Sequence, residues 1–465
     1  MENLIVELSK YLIILLFACY TFLSYYVLNG KKSPKRQRRL LRRQTKLIFL
    51  IHLNAFVVIY TVQKSVNVLI AYVMQAALLS CILIIYKYIY KRASGLIVNN
   101  MCMLLATGLV ILYRLDPDKA LRQYEIAVAA VAVTLVIPFV IHKLHFLKHL
   151  AWVYAAVGIA LLLAVAVLGS VSYGAKLSFK IAGIAVQPSE FVKIIFVFFL
   201  ASMLQRSTGF SQVFKTTLAA AVHVLILAAS KDLGAALIFF MTYLVMLYVA
   251  ARNPLYFLGG LAGGSAASVA AYKLFRHVRV RVTAWKDPLS VIDNEGYQVC
   301  QALFAIGTGG WFGMGLYQGM PKKIPIVEED FVFAAISEEL GGIFAVCLIM
   351  VCASCYLMFL NIAMQVHDQF YKLTALGLGT VYGFQVFLTI GGVTKFIPST
   401  GVTLPLVSYG GSSLLGTFII FAIIQGIYIL REDEGVSDEK KPAGFGKKGR
   451  TPGTAQEKRR REISG

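Results

Sequence analysis

The chain has 465 residues, 58% hydrophobic and only 15% charged, with a formal net charge of +22 and a mean hydropathy of +0.72. A water-soluble chain is usually about half apolar and about a quarter charged, so this composition excludes an ordinary soluble globule. The excess charge is concentrated rather than spread. Nine basic residues and no acidic one lie between Lys31 and Lys46, and a second group, Lys447, Lys448, Arg450 and Lys458 to Arg461, lies in the tail. Such clusters beside apolar segments orient a membrane protein and touch anionic lipid, so membrane lipids are expected as partners and nucleic acid is not.

In chain order, apolar blocks fall at 9–29, 47–63, 66–86, 98–113, 123–142, 150–170, 188–204, 215–229, 233–250, 254–273, 331–360, 371–391 and 410–430. Most have roughly the length that crosses a bilayer as a helix. The fold class is therefore an all-α polytopic membrane protein with about thirteen spans. The Lys/Arg bias places 30–46 in the cytoplasm. Alternation then puts Lys87–Arg92, Lys143–Lys148, Arg252 and the C-terminus inside as well. The N-terminus and the connections 171–187, 274–330 and 392–409 fall outside. The first apolar block follows Glu2 and Glu7, with no basic region before it and no small-residue cleavage site, and reads as a retained span. The tail after Arg431 is polar and rich in Gly, Pro and Lys, a composition expected to be disordered.

The cysteines imply no disulfide framework. Cys352 and Cys355 form a C-x-x-C inside an apolar block with no nearby His, which reads as packing. Cys300 has no evident partner. The glycine-rich run Gly307 to Gly315 matches no phosphate-binding loop.

The chemistry concentrates in P-x-V-E-E-D-F-V-F-A-A-I-S-E-E-L-G, from Pro325 to Gly341. Glu328, Glu329 and Asp330 stand where the longest connection meets an apolar helix, and Glu338 and Glu339 follow inside it. Ionised groups at membrane depth are costly and mark pathways, pairs or catalysis. A positioned carboxylate can act as a general base, whereas a solvated acidic start to the helix would merely suit its dipole. The cations Arg276, Arg279, Arg281, Lys286, Lys322, Lys323 and Lys395, with Glu329, Glu338 and Ser408, are the substrate-binding candidates, suited to a lipid that carries phosphate. Q-P-S-E-F-V-K, Gln187 to Lys193, opens another span. Glu190 and Lys193, three apart, share a face and can pair. Asp232 in S-K-D-L-G is placed as an N-cap. Gly401 to Ser413 is an irregular Pro/Gly-rich entry to the last span, and irregular backbone at that depth must be buried or line a cavity.

Taken together, Q-P-S-E-F-V-K, D-L-G, R-V…D-P (Arg281, Val282, Asp287, Pro288), G-Y-Q…Q-A-L-x-A-I-G-x-G-G-x-x-G-x-G, E-E-D-F-V-F-A-x-x-x-E-E-L-G and G-V-T-L-P-L-V-S-Y-G-G-S-S resemble, in order and spacing, the shape, elongation, division and sporulation (SEDS) family, the FtsW/RodA/SpoVE proteins. The resemblance covers about 98–430. It implies a ten-span core over 98–431, preceded by three extra helices in 1–97 and followed by a tail, 432–465. It further implies an inverting glycosyltransferase that polymerises lipid II, carried on undecaprenyl pyrophosphate, at the outer face of the cytoplasmic membrane beside a class B penicillin-binding protein. The family's essential carboxylate falls on Asp330 and its paired Glu and Lys on Glu190 and Lys193. A divalent cation, Mg or Mn, could assist the departing pyrophosphate. The rival readings are a flippase for lipid-linked precursors and a scaffold that activates a partner synthase. The sequence departs from the family pattern in four places. Glu328-Glu329 replaces His-Thr. The Trp expected after Gly174-Ala175 is missing. Thr389 stands for an Asn. The three extra N-terminal spans are additional.

Overall fold

The computed structural model describes residues 2–29, 33–143, 145–172, 175–181 and 184–440. The helices are α1 (Glu2–Leu28), α2 (Pro34–Gln63), α3 (Val66–Tyr88), α4 (Gly95–Leu115), α5 (Pro117–Thr134), α6 (Ile137–Lys143), α7 (Ala151–Leu168), α8 (Ser189–Leu204), α9 (Phe210–Ala229), α10 (Leu233–Ala251), α11 (Pro254–Leu274), α12 (Arg276–Lys286), α13 (Tyr297–Gly309), α14 (Val332–Gln365), α15 (Gln369–Val393) and α16 (Gly411–Lys440). Twelve stretches of the described residues are long and apolar enough to span a membrane, with α5 and α6 forming one of them. The helix α8, at 16 residues, is the thirteenth expected block and falls short of that length. Pro138 near the start of α6 explains the break between α5 and α6, because its ring cannot donate into the helical ladder.

The thirteen apolar blocks thus all become helices. Two connections carry structure that composition does not announce. Residues 170–186 form an antiparallel meander of β1 (Ser170–Ser172), β2 (Ala175–Ile181) and β3 (Ile184–Val186), in that order. Gly174, named in the family comparison, lies outside the described residues. The long connection 274–330 holds α12, α13 and a 3-10 turn, Pro321–Lys323. α16 also runs on to Lys440, past the point where composition suggests disorder; Lys31, Lys32 and the basic residues from Lys447 onward lie outside the described residues.

α4 is the axis of the bundle. Every residue in it except Gly95 and Arg114 is buried, its largely apolar surface enclosed by the surrounding helices. α1 and α2 pack directly against it, and α1 packs against α14 as well. A buried polar seam joins these helices. Tyr20 and Ser24 hydroxyls donate to Asn100 Oδ1 at 2.9 and 3.1 Å, and Asn100 Nδ2 donates to Ser354 Oγ at 3.1 Å. Gln44 Nε2 donates to Ser24 Oγ at 2.9 Å, and Asn99 Nδ2 donates to Gln44 Oε1 at 3.2 Å. Interhelical hydrogen bonds of this kind contribute about 0.6–2 kcal/mol each inside a membrane, so the extra helices are fixed to the core. α11 is the opposite case: it has no buried residue at all.

The connections sort by end. Gln63 meets Tyr317, Lys119 meets Glu328, and Arg281 meets Ser399, which gathers 63–65, 114–119, 274–330 and 392–409 at one end. Lys148 pairs with Asp368 at 3.5 Å and Gln205 Nε2 donates to Lys148 O at 2.8 Å at the other. That grouping of connections at two ends is the one strict alternation gives.

Candidate active site

The site is built where α14 breaks. Gly341 has φ +86°, non-helical in the middle of α14, so 332–340 is a separate short helix. The glycine-rich run supplies the clamp. Met314 N and Gly315 N donate to Glu338 O and Glu339 O, both at 2.9 Å, and Gly342 N donates to Gly310 O at 2.8 Å. A side chain on Gly313, itself at φ +72°, would sit 2.4 Å from Glu339 O. Only glycine combines that backbone with that approach. The run is therefore a backbone-to-backbone lock and not a ligand loop.

Asp330 stands at the head of this short helix. It follows a turn in which Ile326 has φ +54°, an outlier for a β-branched residue that is held only by its surroundings. Burial raises the Asp330 carboxyl to about 6, while its own backbone N–H and the Arg281 guanidinium pull it down. Burial also raises Glu329, reinforced by Asp330 and opposed by Lys119. Arg281 Nη1 donates to Ser399 O at 2.8 Å. A Cβ placed on Gly401 would lie 3.5 Å from Arg281 Nη2 and 4.0 Å from Asp330 Oδ2. Gly401 thus leaves the space between cation and carboxylate open.

Among the loop cations singled out in the sequence, Arg281 is the one whose charge bears on Asp330. Arg276, Arg279 and Lys286 lie exposed on α12, and Lys322 and Lys323 on the 3-10 turn. Lys395 is half-buried, its carbonyl accepting from Trp285 Nε1 at 3.2 Å. Ser408 is buried and turned into its own loop, its Oγ accepting from Leu404 N at 2.9 Å. Glu338 is buried, with Oε1 accepting from Met320 N at 2.9 Å. Glu328 pairs with Lys119, and its carbonyl accepts from Tyr409 N at 2.8 Å. The acidic trio therefore diverges: Glu328 is committed to Lys119, while Glu329 and Asp330 stay with the site. No group of three or more His, Cys, Asp or Glu side chains placed to share a metal ion occurs among the described residues.

The second polar centre joins the first. Lys193 Nζ donates to Glu190 Oε2 at 2.6 Å and to Gln385 Oε1 at 2.7 Å. Gln385 Nε2 donates to Thr403 O at 3.1 Å, and Thr389 Oγ1 donates to Val402 O at 2.9 Å. The loop beside Gly401 is thus hung from α15 and the ion pair. Asp232 caps α10 by accepting from Ala235 N at 3.0 Å, and its Oδ2 accepts from Ser189 Oγ at 3.2 Å. Its field also reaches Arg281. A polar track therefore runs from Asp330 through Arg281 and Asp232 to the start of α8. Irregular backbone at depth is satisfied by these side chains.

Sequence reasoning missed Arg114, Lys119 and Gln385. Arg114 Nη2 and Nε donate to Glu339 Oε1 at 2.7 and 3.0 Å. The only local signal was a cation in the last turn of an otherwise apolar helix, which by itself marks an intramembrane partner without naming it.

The arrangement sets a carboxylate of raised proton affinity at the head of a short helix in a bundle of twelve membrane-length apolar stretches. The family profile described as "Cell cycle protein", the FtsW/RodA/SpoVE group, matches residues 94–432, and the chain belongs to that family. It is 33% identical to the peptidoglycan glycosyltransferase RodA of Mycobacterium bovis over 71% of this chain and 77% of that one. It is 31% identical to the stage V sporulation protein E of Bacillus subtilis over 70% of this chain and 94% of that one. Among solved structures it resembles a chain described under structural coordination of polymerization and crosslinking by a peptidoglycan synthase complex. The TM-score is 0.61 at 25% identity, covering 73% of this chain and 98% of that one. It also resembles the rod shape determining protein RodA of Thermus thermophilus, with a TM-score of 0.52 at 25% identity over 72% of this chain and 96% of that one.

Proposed function

We propose that this chain is a peptidoglycan glycosyltransferase that lengthens glycan strands from lipid II, with Asp330 as its general base. The name of the mycobacterial relative supports the reaction class. The observation that carries the role of Asp330 is local: a carboxylate poised near 6 beside an open glycine and one cation, at the head of a short, clamped helix. A base works best with its pKa near the working pH.

The step balances simply. Asp330 takes the proton of the acceptor sugar's hydroxyl. That oxygen forms a bond to the donor's anomeric carbon, and the bond from that carbon to the lipid pyrophosphate breaks. The pyrophosphate leaves with the electron pair. Attack from the face opposite the leaving group inverts the centre. Arg281, fixed by Ser399, offers fixed positive charge at the site. A divalent cation is part of the proposal: Glu329 could supply an oxygen, and such ions usually complete their shell from phosphates and water. Its role would be to neutralise the leaving group.

The same reading places residues 274–330 outside the cell and the basic segment 31–46 inside, with the N-terminus outside and the C-terminus in the cytoplasm. It also assigns a class B penicillin-binding protein as partner, supported by the synthase complex among the structural relatives. The test is direct. Purified protein with such a partner, given lipid II in vesicles, should yield a ladder of glycan polymers, and Asp330→Asn should yield none. Absence of polymer from the wild-type complex, with lipid translocated instead, would favour a flippase. Full polymerisation by Asp330→Asn would remove the base.

A further inference from the structure

The first two helices, which precede the family core, pack against the Glu339 end of the short helix 332–340 and the run that clamps it. The Gln63 side chain, at the C-terminus of α2, donates to the Tyr317 hydroxyl. The Tyr317 ring lies under the Arg114 guanidinium, 4.1 Å from its centroid. Arg114 holds Glu339, and Tyr317 N donates to the same Glu339 Oε1 at 3.2 Å. Glu339 sits on the short helix whose head is Asp330. Tyr317 itself has φ +68°, a strained backbone for a bulky residue that persists only when its surroundings hold it. α1 closes the other side. Tyr11 meets Phe312 at 5.7 Å between ring centroids, and Phe17 stacks on Phe344 at 4.1 Å. A Cβ on Gly315 would lie 3.0 Å from Val6 Cγ1.

We propose that α1 and α2 form a positioning module for the reaction, acting on the helix 332–340 through Gln63, Tyr317, Arg114 and Glu339. The buried seam of Tyr20, Ser24, Gln44, Asn99 and Asn100 anchors the module to α4, which gives the brace a fixed base. A brace at one end of a short helix sets the placement of the group at its other end. Displacements of an ångström at a reacting centre can cost about a hundredfold in rate. Gln63 and Tyr317 touch no part of the reacting centre, so they are positioning residues and not catalytic ones.

This inference rests on the glycosyltransferase reading, and its test separates the two. The wild-type complex is first assayed on lipid II; no polymer there defeats the reading itself before any variant is compared. Given wild-type polymerisation, Gln63→Ala and Tyr317→Phe each remove one hydrogen bond, and Tyr317→Phe keeps the ring and the backbone N–H. Each should lower kcat by about three- to thirtyfold with KM unchanged, the pattern of an interaction felt only at the transition state. The double variant should be no worse than either single one, because both break one contact. Gln63→Glu, which can accept from the phenol, should recover most of the rate. Amide exchange should also rise across 311–320 and 332–340 in Gln63→Ala while the seam at 96–104 stays protected. Wild-type kcat in both single variants, additive losses, or unchanged exchange in 311–320 would overturn the module's role while leaving Asp330 untouched.

Discussion

Asp330 and Glu339 stand at the two ends of one short helix and meet opposite fates. Glu339 is buried and gripped by Arg114 through two nitrogens of the guanidinium and by a backbone N–H. Asp330 is half-buried, feels Arg281 across the space left by Gly401, and is pushed up to about 6. The lesson is that the number and closeness of partners, and not the carboxylate itself, divide a brace from a base. Glu339 Oε1 is committed to three donors that hold the helix, whereas Asp330 faces open space beside Gly401.

The largest effect should come from breaking the Asp330 end. Asp330→Asn should lower polymerisation by about a hundred- to ten-thousandfold. In the wild type, activity should rise as pH climbs through about 6, because the base must be ionised. Stability should move the other way. The folded carboxyl holds its proton more tightly than the unfolded one, so its contribution is fully present below about 3.8 and is lost as pH rises through about 6. Thermal unfolding of wild type and Asp330→Asn in lipid nanodiscs across pH 4 to 8 checks this. The wild type should lose ground against the variant in that window, and parallel curves would show an unperturbed carboxyl.

Breaking the Glu339 end should act on stability first. Removing one partner of a buried pair costs about 3–5 kcal/mol, since the other charge is left alone. Arg114→Ala and Glu339→Ala should each fall in that range, and the double variant should lose less than their sum. Equal and additive losses in a thermal double-mutant cycle would show that the two side chains do not sense each other.

The pair Glu190–Lys193 sharpens the comparison, because it is a brace legible from spacing alone. Glu190 keeps 14% of its side-chain surface exposed against 3% for Lys193, so single substitutions should sit near the lower end, about 3 kcal/mol. Lys193→Ala should cost more than Glu190→Ala, because it also releases Gln385 and with it the loop at Thr403. A larger loss for Glu190→Ala in the same unfolding assay would contradict that ordering.

These three sites also show what a sequence carries. Spans were legible because apolar blocks have to be long enough to cross a bilayer. Glu190 and Lys193 were legible because three residues of helix bring side chains together. Asp330 was legible from its place at a helix start and from a family resemblance. Arg114–Glu339 and Lys119–Glu328 were not, since their partners are far apart in the chain and meet only through packing. The three-strand meander at 170–186 and the two helices inside 274–330 were hidden for a related reason: short elements between the apolar blocks carry too little periodicity to stand out.

The smallest expected effect probes the cation that faces Asp330. Arg281 lowers the Asp330 carboxyl against the push of burial. Without that charge, the carboxyl should ionise at higher pH, so the rising limb of the activity profile should move upward. Arg281→Gln should therefore be a few-fold slower than wild type near pH 6.5, and the gap should narrow toward pH 8, where both are ionised. Arg281→Lys keeps the charge and gives up the fork geometry that reaches Ser399. It should keep the wild-type limb while losing a pH-independent part of the rate. If Arg281→Gln lowers the rate equally at every pH, the residue serves the leaving pyrophosphate and the loop at Ser399, and its field does not set the proton affinity of the base.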